Sequence, residues 1–261
     1  MSNDRRDLHN KTIKDQFTKQ AVPFAERIVH SNKESTGLLI KMSRLSKHDT
    51  VLDVACGPGL LACALAPCAQ KVTGIDLVPA MIKNARKTQR KEKISNIDWK
   101  IGDILPLPFV DSAFSVVVCR YAFHHFIEPV AVLKEMIRVA KPGGKVAVID
   151  VFTSSMAQSG RYDKIEKLKD PSHVRTLPLA YLQKMVSAAG LINAKVEFYR
   201  IRMKLEDNLK ASFPDKKSDF KKIRQAIAAD VGKDKIGMGA SREGKVIYLN
   251  YPIAIIVGEK A

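Results

Sequence analysis

The sequence lacks the features that mark membrane, secreted and zinc-binding proteins. No run of about 18 uncharged apolar residues occurs, which argues against a membrane-spanning helix. Residues 1–7 lack the apolar segment of a secretory signal. The four cysteines form no C-x-x-C pair, which argues against a structural zinc site or a disulfide framework. We therefore expect a cytoplasmic chain with no bound metal, whose cysteines are small apolar core residues.

Internal repeats, low-complexity tracts and linkers are also absent from the sequence. The 261 residues, of which 46% are hydrophobic, have the composition of a globular protein that can bury a sizeable core. We expect a single domain over residues 1–261. Within it, residues 1–48 are predicted to form N-terminal helices, residues 49–152 a ligand-binding core, and residues 153–261 a cap with the closing strands.

Acidic side chains are scarce relative to basic ones. The chain has 27 Asp and Glu against 44 Lys and Arg, which gives a formal net charge of +17. The excess is spread over residues 1–48, 83–100, 101–200 and 201–245 and does not form one stripe interleaved with aromatic residues. This distribution favours a solvated basic surface over a nucleic-acid-binding face. An anionic substrate and a loose association with nucleic acid both stay open.

Alternation of strands and helices predicts the fold class. Strands are expected at 51–55, 71–75, 97–101, 115–119 and 145–152, and helices at 60–66, 79–89 and 129–140. Such alternation predicts an α/β fold with a doubly wound, mostly parallel sheet. The fourth segment, Ser115-Val-Val-Val-Cys119, is almost wholly apolar, as expected of a strand that is buried on both faces.

The segments that flank this core have weaker patterns. Ile13, Phe17, Ala21, Phe24 and Ile28 recur at helical spacing, which predicts an N-terminal helix bent near Pro23. A second helix is expected over 34–45. After the fifth strand we expect, in order, a polar stretch at 153–176, a helix at 179–189, a strand at 196–205, a basic, helix-prone insertion at 206–244 and a long closing strand at 246–257.

A glycine-containing turn follows the first strand. In Asp53-Val-Ala-Cys-Gly57-Pro-Gly59, the two glycines let the backbone turn tightly into a helix and let a ligand approach closely. Read as G-x-G-x-x-A with Asp76 downstream, the segment fits a dinucleotide-binding loop. Asp53 argues against this interpretation, because a carboxylate there would repel a pyrophosphate and attract a ligand that carries an ammonium group.

Asp76 and Asp103 also stand at the ends of predicted strands. With Asp53 they place three acids at the carboxyl ends of three successive strands, the edge at which open α/β sheets bind ligands. Asp76 can hold ribose hydroxyls, and Asp103 can accept a hydrogen bond from an exocyclic adenine amine. The three acids therefore predict a nucleoside ligand with a cationic end.

Five motifs occur in order over residues 50–152. They are Asp53-Val-Ala-Cys-Gly-Pro-Gly59, Gly74-Ile-Asp76, Gly102-Asp-Ile-Leu-Pro-Leu-Pro-Phe109, Phe114-Ser-Val-Val-Val118 and Leu133-Lys-Glu-Met-Ile-Arg-Val-Ala-Lys-Pro-Gly-Gly144. They resemble the class I S-adenosylmethionine-dependent methyltransferases, in particular the group that includes the ubiquinone- and menaquinone-biosynthesis enzymes and related small-molecule methyltransferases. The resemblance implies a seven-stranded, mostly parallel sheet with an antiparallel last strand, N-terminal helices and a helical insertion before that strand.

The resemblance also implies which residues bind S-adenosylmethionine, whose product form is S-adenosylhomocysteine. They are Asp53, Ala55, Gly57, Gly59, Asp76, Leu77, Asp103, Ile104 and Arg120. The segment 16–21 is similar to a helix that covers the cofactor in that group. Ala55 stands where many members have the first loop glycine, and Ser115 where many have Asp. We expect Ala55 to be tolerated because alanine adopts ordinary backbone angles.

Two adjacent histidines, His124 and His125, follow the fourth strand at the same edge. Methyl transfer to an oxygen or an acidic carbon needs a base that removes a proton, and a histidine suits that role. The resemblance implies that one of the pair faces the acceptor. The alternative is that both merely cap the next helix or pack beside Phe123 and Phe126. Because the two are adjacent, we do not expect both to point into one pocket.

Other side chains near this edge have two interpretations each. His173 and Arg175 either close the pocket, with Arg175 meeting an acidic acceptor group, or belong to a surface turn after Pro171. Asp150 either lines the site or hydrogen-bonds a loop. Phe17 is expected in the core and can cover the cofactor as well.

The leading hypothesis is methyl transfer from S-adenosylmethionine to a small, fairly apolar molecule by in-line displacement. The acid–glycine–acid–acid order on successive strand ends motivates it. An RNA or protein methyltransferase is the main alternative, suggested by the charge of +17. An NAD-dependent oxidoreductase that uses Gly57 and Gly59, and a cofactor-binding scaffold without catalysis, are further alternatives. The sequence does not predict the acceptor or the oligomeric state.

Overall fold

The central sheet is formed by eight strands among the residues that the computed structural model describes, which are 3–27, 32–214 and 216–261. The strands are β1 (Thr50–Val54), β2 (Lys71–Asp76), β3 (Ile97–Ile101), β4 (Phe114–Arg120), β5 (Ala140–Val151), β6 (Leu191–Lys204), β7 (Ser241–Glu243) and β8 (Val246–Lys260). Seven of them form the order β3-β2-β1-β4-β5-β8-β6, and the short β7 pairs with β8. β1 to β5 are parallel, while β8 runs antiparallel to β5 and β6. The predicted mostly parallel sheet with an antiparallel last strand is confirmed.

Helices cover both faces of this sheet. They are α1 (Asn3–Arg27), α2 (Asn32–Ser43), α3 (Leu60–Leu65), α4 (Pro79–Lys91), α5 (Pro129–Val139), α6 (Met156–Lys169), α7 (Leu179–Ala188), α8 (Leu205–Lys210) and α9 (Asp219–Asp230). The residues of β4 alternate between two apolar cores: Val116 and Val118 face one, and Val117 and Cys119 face the other. β4 is therefore buried on both faces, as predicted. Among the described helices, none is apolar over a length that could cross a membrane.

The strand order reverses beside β1, and this reversal positions the candidate site. From β1 the chain adds β2 and β3 on one side, and it then crosses back to add β4 on the other. The loops that leave β1 and β4 therefore diverge and open a crevice at the carboxyl edge of the sheet. Asp53 of β1 and Arg120 of β4 lie at this crevice.

Several predicted elements differ from the structure. The polar stretch 153–176 contains the helix α6, and the strand predicted at 196–205 begins at Leu191. The insertion at 206–244 has the expected helical character in α8 and α9, but it also forms β7, whose three residues are too few to produce a pattern. α1 continues as helix through Pro23, and Ile28 of its predicted apolar face lies outside the described residues.

The turn after β1 depends on left-handed backbone conformations. Gly57 and Gly59 have φ of 54° and 75°, which glycine adopts without strain. At Gly59 a β-carbon would also lie 2.8 Å from that of Ala85 and closer still to the Trp99 ring, so a side chain has no room there. Ala55 has φ of 54°, and the expectation that it adopts ordinary angles is wrong. It takes the conformation that a glycine would adopt freely.

We expect Gly59→Ala and Ala55→Gly to change the stability of the protein in opposite directions. Gly59→Ala should lower the free energy of unfolding by about 2 kcal/mol or more, because it adds left-handed strain and overpacking. Ala55→Gly should raise it by up to about 1 kcal/mol, because strain is removed. Urea denaturation measures both.

Gly160→Ala is the matched control for these variants. Gly160 is exposed in α6 and has open space around its β-carbon position, so this change should stabilise slightly, by about 0.5–1 kcal/mol. Equal changes in the free energy of unfolding for Ala55→Gly and Gly59→Ala would contradict the role assigned to the left-handed backbone conformations.

Candidate functional site

A cavity of about 180 Å³ lies at the carboxyl ends of β1, β2 and β4, and we call it the edge cavity. The predicted site residues that line it are Asp53, Ala55, Gly57, Asp76, Leu77, Asp103, Ile104, Arg120 and His125. Gly59 and His124 are not among its lining residues. Gly59 instead faces Trp99, so it shapes the turn and is not part of the wall.

Asp53 is a buried carboxylate with too few partners. The residue is 2% exposed, and no described residue makes a hydrogen bond to its Oδ2. Burial raises the pKa of Asp53 to about 7, although the nearby Arg120 guanidinium opposes the rise. An unpartnered buried carboxylate is costly, and a cation in the edge cavity would relieve that cost.

Arg120 supplies the positive charge beside Asp53. It ends β4, and its Nη1 donates a hydrogen bond of 3.2 Å to Oγ of Ser35 in α2. The edge cavity therefore presents one carboxylate and one guanidinium side by side, which is the charge pattern that complements the ammonium and carboxylate of an α-amino acid.

Asp76 closes the loop that follows β1. Its Oδ2 accepts a hydrogen bond of 2.8 Å from the Gly57 amide, and its Oδ1 accepts one of 2.9 Å from the Val78 amide. Burial raises the pKa of Asp76 to about 6, and these amides limit the rise. The carboxylate is thus held rigidly at the cavity wall, with lone pairs left to accept from a ligand hydroxyl.

Asp103 connects the sheet edge to α1. Its Oδ1 accepts from the amides of Ile104 and Leu105, and its Oδ2 accepts from Arg6 and Asn10 at 2.9 Å each. The described residues therefore already supply donors to both oxygens that were expected to receive an adenine amine. The pair between Arg6 and Asp103 is one-third exposed on each side and holds α1 over the cavity.

A second cavity, of about 200 Å³, lies beneath α6 and α8, and we call it the cap cavity. It shares the lining residues Phe17, Tyr121 and His125 with the edge cavity, so these three form the wall between them. Tyr121 holds φ of 57°, a strained value for an aromatic residue, and its amide donates to the Ile149 carbonyl at 2.7 Å. The strain directs Tyr121 to the junction of the two cavities.

His124 lies in the wall of the cap cavity and is held by Asp150. Its Nδ1 is 2.7 Å from Oδ1 of Asp150, and its backbone amide donates to Oδ2 of the same carboxylate at 3.1 Å. Burial disfavours the protonated ring, but Asp150 outweighs burial and raises the pKa of His124 above its ordinary value. Because Nδ1 faces Asp150, Nε2 is the nitrogen left to accept a proton.

His125 has a different environment although it is adjacent. Its Nδ1 lies 3.0 Å from the Ser172 carbonyl, and its ring packs edge-on against Phe17 with centroids 5.0 Å apart. Burial, together with the neighbouring His124, lowers the pKa of His125 well below its ordinary value. His125 therefore stays neutral near pH 7. It is suited to forming part of the cavity wall, but it is a weak base.

The segment after α6 is buried and does not form the surface turn that was one of its two interpretations. His173 is 4% exposed, lines the cap cavity and lies 2.8 Å from Oδ1 of Asp163. Arg175 is exposed and lines neither cavity, so the expectation that it meets an acidic acceptor group finds no support in its position.

Known proteins are similar to the chain in both sequence and fold. Residues 52–148 match the family model described as a methyltransferase domain. An uncharacterized methyltransferase of Bacillus subtilis (strain 168), YcgJ, is 29% identical over 195 residues, which are 74% of this chain and 77% of that protein. The YcgJ crystal structure covers 87% of this chain and 98% of its own, with a TM-score of 0.79 and 25% identity.

A putative methyltransferase from Bacillus halodurans C-125 is similar in structure, with a TM-score of 0.78, 26% identity and coverage of 87% of this chain and 99% of its own. The matches in sequence and fold support a class I S-adenosylmethionine-dependent methyltransferase. A demethylmenaquinone methyltransferase of Listeria welshimeri is 34% identical over 115 residues, which are 42% of this chain and 48% of that relative. The chain thus matches about half of the length of the Listeria protein.

Because the chain is a methyltransferase, two of the alternative hypotheses are wrong. The scaffold without catalysis is one of them. The other is the NAD-dependent oxidoreductase. The hydrogen bonds in the turn after β1 show why Gly57 and Gly59 do not form a dinucleotide-binding loop. The Gly57 amide donates to Asp76, and the Gly59 amide donates to the Cys56 carbonyl at 3.0 Å. Neither amide is left to bind a pyrophosphate, as a dinucleotide loop requires.

Sequence reasoning missed most of the cap cavity of the methyltransferase. Tyr162, Glu166 and Lys169 come from α6, which was predicted as a polar stretch. A signal was present: Ser155 caps the helix by accepting from the Gln158 amide at 3.2 Å, and the order Ser-x-x-Gln is a capping box. That box predicts a helix that begins at Met156 and brings these side chains to one surface.

We expect the two adjacent histidines of the methyltransferase to titrate differently. In an NMR pH titration of the histidine side chains, the pKa of His124 should lie above the ordinary value of histidine. His125 should stay neutral down to the lowest pH at which the protein is still folded. Asp150→Asn removes the charge that favours protonated His124, so the pKa of His124 should fall in this variant.

Asp163→Asn is the matched control for this titration, because it makes the same change beside His173. A pKa of His124 that is the same in wild type and Asp150→Asn would contradict the assignment of Asp150 as the group that sets it.

Proposed function

We propose that the enzyme transfers a methyl group from S-adenosylmethionine in the edge cavity to a small, fairly apolar molecule in the cap cavity. The observation that carries the proposal is the buried Oδ2 of Asp53, which no described residue hydrogen-bonds, beside Arg120 at the strand-order reversal of a methyltransferase fold. The adjoining cap cavity supports a small acceptor, because the acceptor would reach the edge cavity past Phe17, Tyr121 and His125.

The amino-acid end of S-adenosylmethionine fits Asp53 and Arg120. Its ammonium group would give Oδ2 of Asp53 the donor that the protein does not provide, and its carboxylate would face Arg120. Ala55 and Gly57 form the adjacent backbone wall, where the lack of a large side chain leaves room for this end of the ligand.

The adenosine end fits the other half of the edge cavity. Asp76 would accept hydrogen bonds from the ribose hydroxyls, with Leu77 beside it. The buried Met81 and the partly buried Ile104 provide apolar surface for the adenine ring. Asp103, already bound to Arg6 and Asn10, would hold α1 closed over the ligand and would not be the main contact to the adenine amine.

Bound S-adenosylmethionine supplies an activated methyl group, so the protein mainly contributes position and a dry site. α1 excludes water through Ile13 and Phe17, which line the edge cavity. His124 serves as the base for a proton on the acceptor, because Asp150 fixes its orientation and stabilises its protonated form. His125 stays neutral and helps to position the two reactants.

The cytoplasm is the compartment that fits this activity. The four cysteines lie within the described residues and form no disulfide, and three of them are buried. Unpaired cysteines are typical of reducing compartments.

We expect the binding of S-adenosylmethionine at pH 7 to release protons from Asp53. With a pKa of about 7, the carboxyl is about half protonated before binding, and an ammonium group lowers this pKa and expels the proton. Calorimetric titrations in buffers with different heats of ionisation measure the number released. Asp53→Asn keeps the shape of the side chain and should lose this release.

Methylthioadenosine is the matched ligand, because it keeps the nucleoside and lacks the ammonium group. It should bind with little proton release in wild type and in Asp53→Asn alike. Equal proton release in wild type and Asp53→Asn on binding S-adenosylmethionine would remove Asp53 from its role, and the absence of any binding to the folded protein would refute the proposed function.

A further inference from the structure

The cap cavity is acidic, although the protein as a whole is basic. Glu166 and Asp170 line it, and Asp150 and Asp163 stand directly behind His124 and His173, two of the three histidines of its wall. Lys169 is the single lysine or arginine among the lining residues. The other basic residues of α6 (Arg161, Lys164 and Lys167) are exposed, so solvent screens them.

Each charge in this wall has a defined partner. Lys169 is 5% exposed, and its Nζ lies 2.6 Å from Oε1 of Glu166 and 3.1 Å from both Oδ1 of Asn208 and the Tyr251 hydroxyl. Lys169 therefore neutralises Glu166. Among the described residues, the side-chain oxygens of Asp170 accept hydrogen bonds from neutral donors of Gln20 and Ser172. The wall and its backing therefore carry four carboxylates against one ammonium group, and two of the four, Asp150 and Asp163, are paired with His124 and His173.

Aromatic rings complete the wall. Tyr121, Tyr162 and Phe17 line the cavity, and the ring of Tyr162 lies 6.3 Å from that of Tyr251. The Lys169 ammonium contacts the Tyr251 hydroxyl at 3.1 Å, so this wall already accommodates one cation beside an aromatic ring. Aromatic faces next to carboxylates favour organic cations and disfavour anions.

We propose that the methyl acceptor is a small amine, with its nitrogen in the cap cavity and the rest of the molecule largely apolar. This deepens the proposed function and rests on it. A neutral amine nitrogen that takes the methyl group becomes cationic, so positive charge moves from the edge cavity into the cap cavity. Carboxylates fixed around the cap cavity stabilise the charge that develops there. A hydroxyl acceptor would have to approach an anionic state, which the same carboxylates oppose.

The proton balance assigns a task to His124. The amine lone pair forms the new nitrogen–carbon bond, the carbon–sulfur electron pair stays on sulfur, and the product is a methylated ammonium ion. The acceptor binds as an ammonium ion, whose nitrogen has no free lone pair until it gives up one proton. No described residue hydrogen-bonds to Nε2 of His124, which receives that proton while Nδ1 stays bound to Asp150. The imidazolium then returns the proton to solvent.

The test compares three probes of equal body and length: 2-phenylethylamine, 2-phenylethanol and phenylacetate. Each is titrated by ligand-observed NMR into the full chain saturated with S-adenosylhomocysteine. The amine should bind at least about tenfold more tightly than phenylacetate, with the alcohol between them. Equal affinities, tighter binding of phenylacetate or no measurable binding of the amine would overturn the proposal.

Two variants should shift this preference in opposite directions. Glu166→Gln leaves Lys169 without its counter-charge and should reduce the ratio of amine to phenylacetate affinity several-fold. Lys169→Gln leaves Glu166 without its counter-charge and should increase the ratio. Thermal unfolding and affinity for S-adenosylhomocysteine report whether each variant keeps its fold and edge cavity.

Glu206→Gln is the matched control. It removes the same charge from an exposed pair with Arg224 outside the cavity, and it should leave the ratio unchanged. If Glu166→Gln and Glu206→Gln behave alike, the acidity of the cap cavity does not select the acceptor. If the wild-type protein does not bind S-adenosylhomocysteine, the proposed function is refuted. If it binds S-adenosylhomocysteine but has equal affinity for the amine and phenylacetate, only the proposal of an amine acceptor is refuted.

Discussion

A carboxylate buried at the end of β1 without enough partners is the constraint on which the site depends. Asp53 sits in β1, between β2 and β4, and is only 2% exposed. Replacing it by an apolar residue would remove the cost of burying it, so the protein keeps a destabilising group at the cavity wall. Such a group is useful when a ligand supplies the missing positive charge, because the cost then becomes binding energy.

Charged side chains also connect the two cavities. Arg120 stands on the edge-cavity side of Tyr121, and Lys169 stands in the cap cavity on the other side. α1 contributes to both enclosures, since Arg6 binds Asp103 at one end and Gln20 binds Asp170 at the other. Opening of α1 would therefore admit both ligands in one motion.

The sequence was sufficient where the structure is local or periodic. Apolar strands predicted the parallel sheet, and parallel strand ends bring Asp53, Asp76 and Asp103 to one edge whatever the rest of the fold does. It was insufficient where function depends on contacts between distant segments. Asp150 lies 26 residues from His124, and Arg6 lies 97 residues from Asp103, and no spacing rule connects such pairs. The helix α6 was not predicted because its many charged residues obscure the helical spacing of its buried residues.

A crystal structure of the enzyme with S-adenosylhomocysteine tests the central claim most directly. The account predicts that the ligand amine lies within about 3 Å of Oδ2 of Asp53 and that the ribose hydroxyls contact Asp76, with α1 closed above them. A ligand bound elsewhere, or one whose amine leaves Oδ2 of Asp53 without a partner, would contradict it.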